Sequence, residues 1–420
     1  KKYRYLPLYS VSGLWRISQE PFMASAKWID NLVVRASYGL QGNIDKNTSP
    51  FLLGNYRIEN ILPGGSEDMI DVSGAPNKKL RWEKTHSVNA GFDFAVLNQA
   101  INLSVDYYYR KGVDLIGTQM LPLETGFEML TVNWASMRNQ GVEVALSTRN
   151  VHTKNFMWTT NFNFAYNNNK VLKEALREDA LEPGREGYPA GALFALKTAG
   201  LDEEGYPMFQ DKDGKAVSAM EFFKLQEWGF GATDLTARER RELYTYVGTA
   251  DCPYTGGFNN TFTYKAFELG VNFSFDFGGK VRSQPTYSIV DFDKGRNTNR
   301  DILNRWTPEN TETIFPVLLS QNERLDEYMW YSNQNEIYRN LDIWIRDLNY
   351  VRLQNIRLGY TLPTNFSRTL GMTSATVAIE GRNLLVFGSS YKNYLDPETM
   401  SNAYATPAPK SVTLSLNLIF

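Results

Sequence analysis

The chain has 420 residues, with 44 Lys+Arg against 46 Asp+Glu for a formal net charge of −2, and 14 % of it is aromatic. That balance lacks the clustered basic surface on which nucleic-acid binding rests, and no run approaches the ~18 consecutive apolar residues of a membrane-spanning helix. One cysteine, Cys252, excludes an internal disulfide, and two histidines, His86 and His152, leave little for a zinc centre.

The dominant signal along the chain is alternation with a period of two. Ile101, Leu103, Val105, Tyr107 and Tyr109 alternate with Asn102, Ser104, Asp106, Tyr108 and Arg110. Further on, Trp158, Phe162, Phe164 and Tyr166 alternate with Thr159, Asn161 and Asn163, and Leu269 to Phe277 repeats the pattern. Such segments are strands with one apolar and one wet face. They predict strands near 5–18, 30–42, 83–97, 100–116, 135–150, 155–169, 254–265, 267–279, 346–362, 373–387 and 409–420. Within 346–362 the apolar positions slip from odd (Val351, Leu353) to even (Ile356, Leu358, Tyr360), which predicts a bulge near Gln354 and Asn355.

The connections alternate between short (19–29, 98–99, 151–154, around Ala266, 363–372) and long (43–82, 117–134, 170–253, 280–345, 388–408). Unstructured loops beyond ~12–15 residues are uncommon in compact soluble domains, whereas tight turns on one side and long loops on the other are normal for an outer-membrane barrel. The longest connection is expected to hold a short charged helix over 234–246 and a hairpin turn at Asp211-Lys212-Asp213-Gly214.

A soluble sandwich also alternates. Lipid is favoured by strands longer than the usual ~5–6 residues, by polar faces of Asn, Ser, Thr, Asp and Arg, and by aromatics near strand ends (Trp15, Trp82, Trp158, Tyr166, Tyr360). The expected fold class is therefore all-β, a transmembrane antiparallel β-barrel with long extracellular loops. A passive porin or adhesin without a plug, and a soluble β-rich carbohydrate-binding protein, stay open as alternatives. An odd number of strands would leave an edge open in hydrocarbon, so further strands are expected from upstream sequence or from a separate chain.

Particular phrases then resemble a known family. Trp28-Ile29-Asp30-Asn31-Leu32, Arg35-Ala36-Ser37-Tyr38-Gly39 and Gly42-Asn43 are similar to a signature of SusC/RagA-type TonB-dependent transporters. So are Trp15-Arg16-Ile17-Ser18, Glu20-Pro21-Phe22, Leu80-Arg81-Trp82-Glu83-Lys84-Thr85, Val105-Asp106-Tyr107-Tyr108 and Met137 to Glu143. Pro253 to Phe258, Tyr350 to Asn355, Leu358-Gly359-Tyr360, Asn383-Leu384 and Asp396-Pro397-Glu398 complete the series in family order. The resemblance implies that residues 1–420 form the C-terminal half of a 22-stranded barrel of the bacterial outer membrane, with plug and early strands absent from this chain. It also implies TonB-dependent import of oligosaccharides or peptides. The implied partners are a SusD-like surface lipoprotein, the N-terminal part of the same transporter, TonB through that N-terminal region, and outer-membrane lipid.

No catalytic residue, metal ligand or cofactor is assigned. A calcium loop counted from Asp211 fails at Lys215, Ala216 and Phe222, so a polar turn is the better reading. Glu203-Glu204 and Asp396 with Glu398 are carboxylate pairs, but glycosidase chemistry needs two carboxyls set across a cleft. Arg138 and Glu143 are expected at the lumen or rim. Trp330, Tyr331, Tyr391 and Tyr394 are weak candidates for stacking on sugar rings or contacting a lid protein, and could equally pack the loops together. The last strand, with Leu414, Leu416, Leu418 and Phe420 on one side, resembles the signal that outer-membrane assembly machinery reads.

Overall fold

A computed structural model describes residues 5–44, 51–62, 65–72, 75–127, 129–229, 232–283, 295, 300–318, 339–369, 371–388, 396–399 and 405–420. The chain divides into two compact units. One comprises Lys1–Asn150, Thr159–Arg177 and Gly184–Ala190; the other comprises Val151–Trp158, Glu178–Pro183 and Gly191–Phe420.

The first unit is an antiparallel meander of β1 (Tyr9–Arg16), β2 (Ile29–Asn43), β5 (Glu83–Val96), β6 (Ile101–Met120), β7 (Met129–His152) and β8 (Phe156–Lys173), interrupted by a separate hairpin of β3 (Gly54–Leu62) and β4 (Gly65–Val72). Register turns the sequence alternation into two chemically distinct faces. The row Arg35–Gly91–Asp106–Glu143 lies on one side, and the adjacent row Val34–Phe92–Val105–Val144 lies on the other. A one-residue slip in any strand would exchange those faces, so each face fixes the register of its neighbours.

The second unit opens with short strands β9 (Ala192–Leu196), β10 (Thr198–Leu201), β11 (Pro207–Gln210) and β12 (Ala216–Val217), then helices α1 (Ala219–Phe222) and α2 (Ala237–Glu242) and strand β13 (Tyr244–Thr249). These pieces enclose a small core in which Phe209, Phe222 and Phe223 are in ring contact, with Leu196, Leu341 and Trp344 almost fully buried. The expected helix is α2. A capping box starts it: Thr236 Oγ1 accepts from Glu239 N, and the Glu239 carboxylate accepts from Thr236 N. The expected turn joins β11 to β12, and its Asp211 carboxylate accepts the N–H groups of Asp213 and Lys215, a self-contained polar turn.

A second meander follows: β14 (Tyr254–Tyr264), β15 (Phe267–Arg282), β16 (Ile345–Thr361), the short helix α3 (Thr364–Thr369), β17 (Ser374–Phe387) and β18 (Ser411–Ile419). Its apolar rows include Phe258–Phe273–Leu353–Leu385, and the rings of Phe258 and Phe273 stack at 4.7 Å. The bulge expected near Gln354 is present. Against β15, Asn272 and Phe273 pair with Asn355 and Leu353, leaving Gln354 as the extra residue, while against β17 the two residues Asn383 and Leu384 lie opposite Gln354.

All eleven long strands fall where alternation put them, but two long connections differ from expectation. Most of 117–134 is ladder, because β6 and β7 stay paired from Ile116↔Asn133 to Met120↔Met129. The connection 43–82 holds the β3–β4 hairpin.

Candidate functional site

On the polar face of the first unit, Arg35 on β2 reaches over the adjacent β5, which carries Asp93, to Asp106 on β6. Its Nη1 donates to Asp93 Oδ2 at 2.6 Å, Nη2 to Asp106 Oδ2 at 2.5 Å, and Nε to Asp106 Oδ1 at 3.2 Å. Ser104 closes the ring by accepting from Nη2 and donating to Asp93 Oδ1 at 2.7 Å. The forked hold on Asp106 is possible because Gly91 lies beneath it; a Cβ there would meet Asp106 Oδ1 at 2.2 Å. One guanidinium against two carboxylates leaves the cluster one negative charge in excess. It borders an open recess of about 400 Å³ lined by Ser12, Leu14, Ser37 and Asn89. These groups can bind and orient polar solutes.

In the second unit the buried guanidinium of Arg352 on β16 holds Asp396 through Nη2 and Glu398 through Nε at 2.9 Å. The Tyr350 hydroxyl sits 2.5 Å from Asp276 Oδ2 and 3.2 Å from Glu398 Oε1. The carboxylates of Asp396 and Glu398 are thus tied to a common cation, which fastens Asp396-Pro397-Glu398 onto the strand. Pairing with two carboxylates offsets the desolvation of a side chain that is 2 % exposed.

Other family-like phrases also resolve into architecture. Arg81 and Lys84 both pair with Asp114 (2.5 and 3.0 Å), which stands at a left-handed bulge of β6, and Glu83 accepts from Asn43 and from the N–H of Ile116. Gly141 lets the Tyr108 ring cross β7, and a Cβ there would be 2.0 Å from the Tyr166 carbonyl. Arg138 and Glu143 do not share a face. Five positions apart on one strand, they point oppositely: Glu143 pairs in the polar row with Asp106, and Arg138 in the outward row with Lys111.

The β3–β4 hairpin presents Tyr56, Ile58, Ile70 and Val72 on one side, all exposed. Trp330, Tyr331, Tyr391 and Tyr394 lie outside the described residues. Leu414, Leu416 and Leu418 line the apolar side of β18 opposite Ile379, Val377 and Ala375, and Phe420 follows the strand, exposed.

Long antiparallel strands with two faces of opposite character have counterparts among known proteins. Residues 8–196 match the family model described as "TonB dependent receptor-like, beta-barrel". TonB-dependent receptor P3 of Formosa agariphila is 26 % identical over 100 % of this chain and 42 % of its own length. Over residues 8–196 the chain is similar to a TonB-dependent receptor β-barrel. TonB-dependent receptor SusC of Bacteroides thetaiotaomicron is 25 % identical over 96 % of this chain and 39 % of its own. The structure of the RagAB peptide transporter shares the fold, with a TM-score of 0.76 and 24 % identity over 100 % of this chain and 44 % of that one. The chain therefore spans about two fifths of the length of the relatives it matches. The transmembrane β-barrel expected from alternation is the fold these comparisons show.

The Arg35 cluster and the Arg352 clamp escaped the sequence reading because each joins residues tens of positions apart. Only the polar parity of Arg35, Asp93 and Asp106 on successive strands could have signalled the first.

Proposed function

We propose that this barrel is the C-terminal part of a bacterial outer-membrane importer that takes up oligosaccharides or peptides, is energised through TonB, and works under a SusD-like surface lipoprotein. Its polar face, with the Arg35–Asp93–Asp106 cluster, lines the solute path and contacts the N-terminal part of the same transporter. The observation that carries this reading is that SusC is similar to nearly all of this chain and bears the name of a TonB-dependent receptor. The β3–β4 hairpin supports the partner assignment. A lone two-stranded hairpin is marginal in water, and an exposed apolar side of Tyr56, Ile58, Ile70 and Val72 calls for a covering surface. The apolar side of β18 with Phe420 serves as the signal for insertion into the outer membrane.

Deleting the gene for this chain should abolish growth on the imported nutrient as sole carbon source, whether glycan or peptide. The intact transporter, purified in detergent, should bring a surface lipoprotein with it. Uptake that survives removal of TonB would refute the energised mechanism and favour a passive pore.

A further inference from the structure

On β5, β6 and β7 the apolar face of the first unit changes character at a definite height, while the same row on β2 carries Leu40. From Val96–Ile101 beside the short turn up to Val88–Tyr109, its paired positions on β5 and β6 are apolar or aromatic. The next row is His86–Lys111–Arg138. It stands ten positions above Val96 and Ile101. At ~3.3 Å per residue and a tilt of ~40°, that is roughly 25 Å, the height of a barrel's apolar band. Tyr109 and Tyr38, one row lower, sit where interfacial tyrosines belong, and the Tyr38 hydroxyl is 2.9 Å from His86 Nδ1.

This row is electrostatically incomplete. Lys111 and Arg138 stand directly opposite each other across the β6–β7 ladder, an arrangement of like charges that opposes pairing. Neither has a carboxylate partner among the described residues, and Arg138 Nε is shut off from solvent with no acceptor. The contrast with the neighbourhood is sharp. Lys84, two positions above His86, is paired with Asp114, and Arg35 on the other face is paired twice. Cations at the upper boundary of an outward apolar surface meet headgroups, and phosphate is the group that accepts from both lysine and guanidinium.

We infer that the row His86–Lys111–Arg138 is a binding site for the phosphate of a lipid headgroup in the outer leaflet. The inference rests on the outer-membrane reading, in which the long connections are extracellular. The acyl chains of that lipid lie along the rows beneath, over Phe92, Val105 and Val144, while its phosphate neutralises the Lys111–Arg138 repulsion.

The test uses the intact transporter in nanodiscs of zwitterionic phospholipid, titrated with lipid A, with the same lipid A after enzymatic removal of its phosphates, and with inorganic phosphate. Bound lipid is counted by native mass spectrometry. Wild type should take up phosphorylated lipid A at least tenfold more tightly than the dephosphorylated form. The Lys111→Gln/Arg138→Gln pair should lose that preference, Lys111→Arg/Arg138→Lys should keep it, and Lys154→Gln, in the turn after β7, should match wild type. Removing two repelling charges leaves folding intact, so the double variant remains measurable. Equal uptake by wild type and the Gln pair would overturn the inference, as would complete displacement of the lipid by millimolar inorganic phosphate. A transporter that does not enter the nanodisc at all would refute the membrane reading instead.

Discussion

The carboxylate of Asp30 accepts the backbone N–H of Gln99 at 2.8 Å, sixty-nine positions along the chain. Gln99 is the last of three successive left-handed residues, after Leu97 and Asn98, with φ of 57°, 56° and 58°. Asp30 reaches it from the bulge that displaces β2 between Ile29 and Asn31. The family-like phrase around Trp28 to Leu32 therefore braces the turn between β5 and β6.

Left-handed backbone costs a β-carbon-bearing residue ~1–2 kcal/mol, and glycine avoids most of this at some loss of chain entropy. Gln99→Gly is expected to raise the barrel's unfolding free energy by about 0.5–1 kcal/mol. Asp30→Ala, which leaves the Gln99 N–H without its charged acceptor, should lower it by about 1–2 kcal/mol. Urea titration of the intact transporter in detergent reads both, and a Gln99→Gly variant less stable than wild type would contradict the strain.

Gly91→Ala tests the Arg35 cluster without touching a charge. The new methyl would displace Asp106, since it falls 2.2 Å from Oδ1 and 2.8 Å from the Val105 carbonyl. Overpacking of this kind costs ~1–3 kcal/mol. Arg35→Met in the Gly91→Ala background should then cost less than in wild type, because the forked bond to Asp106 is already lost. The comparison is a double-mutant cycle, and strict additivity would contradict the coupling.

Arg352→Met strips two carboxylates of their shared cation. Asp396 is 6 % exposed on its side chain, so leaving it unpaired is expected to cost about 3 kcal/mol or more, whereas Glu398, at 44 %, can turn to water. The freed segment should become more cleavable: limited trypsinolysis after Lys392 ought to be several-fold faster in Arg352→Met than in wild type. Equal rates would show that Asp396-Pro397-Glu398 is held by other contacts.

Glu239, in the capping box of α2, is held below the ordinary carboxylate range by the Thr236 N–H and hydroxyl, with Lys224 assisting. A depressed carboxyl contributes stability that is present above its unfolded pKa and is lost as pH falls through the folded one. Protection of the amides of residues 236–240, corrected for intrinsic exchange, should therefore hold at neutral pH and fall below about pH 4, where carboxylates protonate. In Glu239→Gln this dependence should disappear. Persistence of the acid loss in that variant would assign it to another group.

The strands were legible because a surface with lipid on one side and water on the other writes its period into every residue, as Leu269 to Phe277 shows. The Gln354 bulge was legible for the same reason, as a break in that period. The β6–β7 extension was obscured by its mixed composition from Ile116 to Met120, although Pro122 and Gly126 mark the turn that closes it. The β3–β4 hairpin was also present as alternation, in Asn55-Tyr56-Arg57-Ile58-Glu59, within the long connection 43–82. The partners of Asp30, Arg35 and Arg352 were not legible at all, since register between distant strands decides them. The phrase from Met137 to Glu143 marks a place where a glycine must fit, since Gly141 lies against the Tyr108 ring and the Tyr166 carbonyl.

The account depends most on which side of these strands meets acyl chains. In a Cys252→Ser background, single spin labels at Val271, Asn272, Phe273 and Ser274 on β15, in the intact transporter in bilayers, report collision with oxygen and with a water-soluble nickel complex. Oxygen accessibility should peak at 271 and 273, nickel accessibility at 272 and 274. Labels at 271 and 273 sheltered from both reagents would mean that Val271 and Phe273 are packed against protein, and the membrane barrel would be contradicted.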